Sequence, residues 1–413
     1  MSVSEPIASR RMLSLDADVL RIAQKVRDVG RALDERYLDK GELIRMLLVT
    51  LVAGEHMLIV GPPGTAKSAM VRQLARFIDA RYFEYLLTRF SEPNEIFGPI
   101  DIKAFREGTY LRRVEAMLPD ADIVFLDEIF KSNSAILNSL LSILNERRFF
   151  TGSASIQVPL SSLYGATNEI PNDDALSAVF DRFLVRTLSD NLDSFHFNGL
   201  IERGLRGEIE SLAQDGGVAD EAAVEAARPL VSLAEIRLLK ARLARHLQFP
   251  DDFLARYKGL VFQIRSEGVT LSDRRVVKLL KLFAASALID GRPTVDDGDF
   301  FVLRHVWNSV DQIPIVEDIV GPVLERYRRD HPEARVRRPS ARDLDGILAE
   351  LGVIRSLLLG GEPLSDVQLF SQLRNLQEIR AALQAIGTDT AQTMAGEVDK
   401  LLEGVFESSK WSG

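Results

Sequence analysis

The chain has no cysteine and only five histidines in 413 residues. That inventory excludes disulfides, thiolate nucleophiles, cysteine-ligated zinc and iron-sulfur clusters, and leaves oxygen ligands of the kind that suit Mg2+. A surplus of positive charge is also missing: 51 Lys and Arg stand against 60 Asp and Glu, for a net charge of −9. Binding to a phosphate backbone needs clustered cations, so nucleic acid is not an expected partner. Long apolar runs are absent as well. Stretches such as Arg45–Ala53 fall far short of the about 20 residues that span a bilayer, and Met1–Leu15 carries Arg10 and Arg11 with no apolar signal segment behind them. These absences predict a soluble, cytoplasmic protein with no membrane span. What is present is ordinary globular composition, 46% hydrophobic, with length for two or three domains at about 150 residues each.

From Asp16 to Gly54 the spacing is helical, with Leu20, Val26, Leu33, Leu43, Leu47 and Leu51 on recurring faces, so two helices are expected before the first strand. His56–Val60 is a short apolar run ending in Gly61-Pro62-Pro63-Gly64, which suits a strand buried on both faces. Ser68–Ile78 returns to helical spacing. Apolar runs at Arg81–Thr88, Ile123–Leu126, Leu163–Thr167 and Phe183–Leu188 follow, with helical patterns between several of them. The alternation predicts a three-layer α/β domain on a mostly parallel sheet. After about Asp190 the strand signal stops. Leu233–His246, Asp252–Ser266, Asp273–Ile289 and Asp296–Trp307 read as amphipathic helices of an all-α domain, reached through a connector at Ile209–Arg228 that contains Gly216-Gly217. Beyond Gln312 a Pro- and Arg-rich segment, His331–Pro339, leads into Leu-rich helical stretches broken at Gly360-Gly361. Three parts are therefore expected: N-terminal helices with the α/β core in 1–192, a linker and all-α lid in 193–312, and a helical C-terminal extension in 313–413.

The strongest local pattern is Gly61-Pro62-Pro63-Gly64-Thr65-Ala66-Lys67-Ser68, placed between a buried strand and a helix. In such a phosphate loop (P-loop), backbone N–H groups and the helix N-terminus wrap the phosphates, Lys67 reaches the β and γ phosphates, and the Ser68 hydroxyl coordinates Mg2+. ATP and Mg2+ are the expected ligands. The general pattern has glycine before the lysine; Ala66 fits there if its φ is negative. Ile123–Glu128 is an apolar run ending in two carboxylates, Asp127 to hold the Mg2+ shell and Glu128 to orient and polarise the attacking water. Asn168, after another apolar run, can hydrogen-bond the γ-phosphate or that water. Glu92 and Glu95 read as a solvated acidic turn, Arg335, Arg337 and Arg338 as a solvated linker face, and Leu344, Leu348, Leu351, Leu357 and Leu358 as packed core.

These motifs are accompanied by Arg89–Pro99, Phe125–Lys131, Ile136–Leu141, Leu144–Phe149, Ala166–Glu169, Phe180-Asp181-Arg182-Phe183 and Ser272-Asp273-Arg274-Arg275. With them the chain, from about Asp28 to Pro314, resembles the MoxR family of AAA+ ATPases, and within it the group typified by the regulatory ATPase variant A. The resemblance implies a ring-forming, chaperone-like ATPase, expected as a homo-hexamer, with ATP between the α/β core and the helical lid. Alanine before the lysine is a form familiar in that family. Matched position by position, Arg182 corresponds to the arginine finger that reaches the γ-phosphate on the adjacent subunit. Arg274, with Arg275 as its competitor, corresponds to the sensor 2 arginine on the lid. From the residues alone, Arg182 beside Asp181 and Arg274 beside Asp273 read as surface ion pairs. Family members commonly act with partners carrying a von Willebrand factor A domain, remodelling or activating a client protein.

Two insertions mark a branch of that superfamily. Phe97–Leu118 contains Phe105–Tyr110, a turn between extended pieces, and Phe149–Ile156 reads as a hairpin before the strand that ends at Thr167. Such hairpins face a pore or a partner, or simply extend the sheet. Three other readings stay open: a nucleic-acid motor, a magnesium-chelatase-like subunit, and a scaffold that binds nucleotide without turnover.

Overall fold

A computed structural model describes residues 15–152, 154–170, 179–190, 228–246, 249–331 and 389–408, with scattered helical positions between 176 and 205 and between 344 and 386. The connector glycines Gly216-Gly217, the cluster Arg335, Arg337 and Arg338, Gly360-Gly361, Leu357 and Leu358 lie outside the described residues. The chain divides into two compact units, Met1–Asp190 with Asp220–Asp330 and Asn191–Ala219 with His331–Gly413.

In the first unit, α1 (Ala17–Arg36) buries Val19, Ile22, Val26, Val29 and Leu33, an i, i+3, i+4 stripe that leaves Leu20 on the outer side. Helix α2 (Gly41–Ala53) is apolar around most of its circumference and buried accordingly, and Gly54 ends it in the left-handed conformation at φ 68°. The strands are β1 (Met57–Val60), β2 (Tyr82–Leu86), β3 (Ile123–Asp127), β4 (Arg148–Thr151), β5 (Ala154–Gln157), β6 (Ser162–Thr167) and β7 (Val185–Leu188). Five of them form one parallel sheet in the order β2-β3-β6-β1-β7, with every residue of β1 and β6 buried, as the apolar runs predict. Helix α3 (Lys67–Phe77) follows β1, and α6 (Ser134–Glu146) follows β3. This is the expected α/β core.

The β4–β5 pair is the second expected hairpin, antiparallel with Phe150 opposite Ser155. The first insertion differs from expectation. A short helix, α4 (Pro93–Phe97), leads up to its first residue; within it, instead of a turn between extended pieces, stands the short helix α5 (Ile102–Arg106), and its antiparallel pairing is confined to the base, at Ile100 and Arg112. The cause is local capping: Asp101 accepts from the N–H groups of Lys103 and Ala104, which starts a helical turn where a strand was expected. Glu92 and Glu95 form a capping box at the start of α4, which uses both acids structurally.

The lid contributes α7 (Leu233–His246), α8 (Asp251–Ser266) and α9 (Asp273–Ile289). The fourth expected helix is a 3-10 helix, Asp297–His305. Phe253, Tyr257, Phe283 and Phe300 knit these elements together, with Phe253 stacked on Phe300 at 4.5 Å and edge-on to Phe283 at 5.6 Å. Helix α10 (Gln312–Asp330), which opens the segment expected as a C-terminal extension, packs instead on α8 and the 3-10 helix and buries Val316, Ile319, Val320 and Leu324. Polar fastenings join lid to sheet. Glu55, just ahead of β1, accepts from Lys278 at 2.6 Å and Lys281 at 2.8 Å; burial raises its pKa, and the two lysines outweigh that and hold it low. Arg275 donates to the carbonyls of Leu184 (3.2 Å) and Val306 (2.9 Å).

In the second unit, α11 (Asp389–Ser408) and helical positions from 344 onward share a cluster that includes Ile347, Leu351, Ile354, Leu376, Leu383 and Val398. Leu351 is therefore core, as expected, with Leu344 packed against it. Among the described residues no helix is long and apolar enough to cross a membrane.

Gly165 of β6 leaves room for the ring of Phe183: a Cβ there would stand 2.9 Å from the ring. Gly165→Val is expected to lower the unfolding free energy by about 1–3 kcal/mol through overpacking. Thermal or urea unfolding reads this directly, and a wild-type midpoint would mean that Phe183 has another place to go.

Candidate functional site

At the C-terminal end of β1 the chain turns through Gly61–Ala66 into α3. Gly61 is required by close approach, since a Cβ would lie 2.1 Å from the carbonyl oxygen of Ser189. The loop is fastened from both flanking strands: on the β6 side Gly61 N–H donates to Thr167 O at 3.0 Å, and on the β7 side Ser189 N–H donates to Val60 O at 2.8 Å and Ser189 Oγ to Thr65 Oγ1 at 3.1 Å. Gly64 and Ala66 both take positive φ, at 84° and 60°. The expected negative φ at Ala66 is thus corrected. Ala66 is the N-cap of α3 and is held left-handed, unlike the extended N-caps Asn133 and Ser272, which costs an L-residue about 1 kcal/mol.

Lys67, the first residue of α3, is only 6% exposed. Its Nζ donates to the carbonyls of Gly61 (2.8 Å) and Pro62 (2.7 Å). Burial lowers its pKa, the carboxylates of Asp127 and Glu128 oppose that shift, and the charge of Lys40 reinforces it. The parallel register of β1, β6 and β3 puts the acids at the end of β3 at the same end of the sheet as this lysine. Asp127 Oδ1 accepts from the N–H of Glu128 at 3.0 Å. Glu128 stands at φ 51°, and its Oε1 accepts from Asn168 Nδ2 at 2.6 Å and pairs with Lys131 Nζ at 3.1 Å. Asn168 follows β6, the strand beside β3, and this neighbourhood brings its amide onto the acid. Ser68 and Asp127 are both oxygen donors. Among the described residues no group of three or more His, Asp or Glu could cage a metal alone. That donor set fits Mg2+, which takes one or two carboxylates and completes its shell with water and substrate phosphates.

Arg182 lies elsewhere. Strand β7 runs parallel to β1, Val185 beside Met57 and Leu188 beside Val60. Gly61 follows the last of these pairs and Arg182 precedes the first, so they leave the sheet at opposite ends. At about 3.3 Å per residue, the four-residue strand alone puts ~13 Å between them. Arg182 pairs with Asp181 at 3.3 Å. Arg274, expected on the lid over the nucleotide, stands at Arg182's end: it donates to Asn145 Oδ1 at 2.8 Å, near the end of α6, and lines one cleft with Asp181, Arg182, Leu184, Arg275 and Lys278. Asp273 takes Arg265 as its partner, at 2.7 Å, rather than Arg274. Both Nη atoms of Arg275 are engaged, with Thr270, Leu184, Val306 and Asn308, and burial pulls its pKa down to about 10. Of the two adjacent arginines, Arg274 is the exposed one and Arg275 the buried fastening.

The motif reading missed Ser189, Asn145 and Arg186. The first two act through contacts distant in sequence. Arg186 carried a signal, an arginine at the centre of the strand-forming run Leu184-Val185-Arg186-Thr187-Leu188.

A family model describing the MoxR domain in the MoxR-vWA-beta-propeller ternary systems matches residues 24–226. A second, describing the AAA lid domain, matches residues 254–320. An uncharacterized protein of Methanocaldococcus jannaschii is 33% identical over 308 residues, 74% of this chain and 76% of its own length. A MoxR chaperone of Mycobacterium tuberculosis is 26% identical over 176 residues, 42% of this chain and 45% of its length. Among solved structures, an inferred ATPase from Cytophaga hutchinsonii superposes with a TM-score of 0.57 at 17% identity, covering 75% of this chain and 96% of its own; this likeness concerns the fold.

Relief of the left-handed alanine is measurable. Ala66→Gly is expected to raise the unfolding free energy by about 1 kcal/mol, seen as a higher urea midpoint at unchanged m-value. An equal or lower midpoint would show that the loop holds no strain at this residue.

Proposed function

The chain belongs to the MoxR family of AAA+ ATPases, and from that premise we propose that it hydrolyses ATP to ADP and phosphate in a closed ring, a hexamer, and couples the reaction to remodelling or activating another protein. The observation that carries this reading is the division of charge across the sheet. Lys67, Asp127, Glu128 and Asn168 gather at one end, and Arg182 and Arg274 at the other.

Each group has a distinct task. The loop amides and the N-terminus of α3 face the phosphates, and Lys67 exchanges its two carbonyl acceptors for phosphate oxygens. Ser68 and Asp127 would hold Mg2+, which when bound neutralises phosphate charge. Glu128 accepts proton density from the attacking water, and the amide of Asn168 keeps that carboxylate oriented. The charge that develops on the transferred phosphoryl group calls for a fixed, planar cation, worth about 10³–10⁵ in rate. A subunit's own Arg182 is across the sheet, so the neighbouring subunit supplies it, with Arg274 beside it. For the partner we propose a protein with a von Willebrand factor A domain, in keeping with the ternary systems named by the matching family model.

Two measurements test the reading. Glu128→Gln should keep nucleotide affinity and lose about 10²-fold or more of turnover, because the amide cannot polarise water. Equal loss of binding and turnover would make Glu128 a structural residue. Arg182→Ala and Lys67→Ala subunits should each be inactive as pure rings, the first still binding ATP. Mixed, they should release phosphate, since a Lys67→Ala neighbour lends its intact Arg182. Silence from mixed rings that demonstrably exchange subunits would place Arg182 in its own site or in a mere ion pair with Asp181.

A further inference from the structure

Arg186 is the second residue of β7 and is 1% exposed. Its guanidinium lies over the ring of Phe180, 4.0 Å from the centroid, and one nitrogen donates to Phe180 O at 3.4 Å. Its Nε and Nη1 have no hydrogen-bond partner among the described residues. A cation buried with so few polar partners costs stability that its ring contact offsets only in part, so its place calls for another account. What it secures is the turn that carries Arg182. Phe183 N–H donates to Phe180 O and Arg182 N–H to Val179 O, so the carbonyl gripped by Arg186 also closes the turn. On the far side of Arg182, the ring of Phe183 is fully buried in the space left by Gly165. Arg182 therefore sits between two anchored rings; Phe180 is held by Arg186 over its ring and by the ring of Phe130 at 6.0 Å, and Arg186 is the polar anchor that also grips the turn's carbonyl.

We propose that Arg186 is a positioning residue for Arg182, holding the Phe180–Phe183 turn so that the finger meets the neighbouring subunit's nucleotide at a fixed place. The inference rests on the reading of Arg182 as a finger used in trans. A misplacement of about 1 Å at a reacting centre can cost roughly 10²-fold, so loss of the anchor should act on the subunit that lends the finger and spare the subunit that holds the ATP.

Mixed full-length rings separate the two. Arg186→Met keeps the length of the side chain and removes the charge. Placed in the finger donor, as Lys67→Ala with Arg186→Met beside Arg182→Ala acceptors, it should cut the restored phosphate release by about 10- to 100-fold. Placed in the acceptor, as Arg182→Ala with Arg186→Met beside Lys67→Ala donors, it should change release less than about twofold, and Arg186→Lys in the donor should recover part of the loss because an ammonium still attracts the ring. If Arg186→Met does not yield folded rings, Phe180→Leu removes the same contact from its other partner and should give the same one-sided loss. Equal losses in donor and acceptor, or none in either, overturn the inference and leave Arg186 a general packing residue. The unmodified mixture is the control: if Lys67→Ala and Arg182→Ala do not complement, the trans reading itself falls and takes the inference with it.

Discussion

The register of β7 against β1 is the constraint on which the rest hangs. Met57 lies beside Val185 and Val60 beside Leu188; β1 is buried throughout and β7 from Val185 to Thr187. Because the pairing is parallel, the end of β1 that opens into the P-loop and the end of β7 that receives the Arg182 turn point in opposite directions. A slip of one residue would move the side chains of β7 to the other face. Phe180 would lose its cation, and Ser189 would leave Thr65. The phosphate-binding loop and the arginine turn are thus set by one ladder of hydrogen bonds.

The lid is held to this ladder by charge as much as by apolar packing. Lys278 and Lys281, on one face of α9, reach Glu55 immediately before β1, while Arg275 reaches the carbonyl of Leu184 immediately before β7. Both fastenings are at the same end of the sheet. The buried carboxylate of Glu55 is costly unless paired, and the two lysines, themselves partly exposed, supply that pairing. Arg237 adds a third tie, to Asp122 ahead of β3. The lid helices are therefore braced against the starts of three strands.

What was legible in the sequence is what chemistry requires to be contiguous. Gly61–Ser68 and the acids after Leu126 must occur as short strings, because phosphate wrapping and a strand-end carboxylate pair are local geometries. The sheet was legible for a similar reason: strands covered on both faces read as unbroken apolar runs. Less could be read where a residue's meaning depends on another element. Asn168 is on Glu128 because β6 lies beside β3, a fact of strand order. Arg274 and Arg275 are neighbours in sequence and about 100° apart around a helix, so only the packing of α9 decides which one faces out. The first insertion was misread because a single side chain, Asp101, tips a polar segment from strand to helical turn. Ala66 was misread because residue type suggested a backbone conformation that the path of the loop, left-handed at Gly64 and again at Ala66, overrides.

Placing the phosphate-binding groups and the arginine turn off opposite ends of one strand also governs how sites are counted in an assembly. On the reading proposed above, each subunit completes a site only with the next, so an open arc of n subunits holds n − 1 complete sites, and its last P-loop waits on a missing neighbour. Closing the arc adds no chain, yet it adds one site. Hydrolysis would then report topology as well as concentration, rising by a larger fraction on closure the smaller the ring.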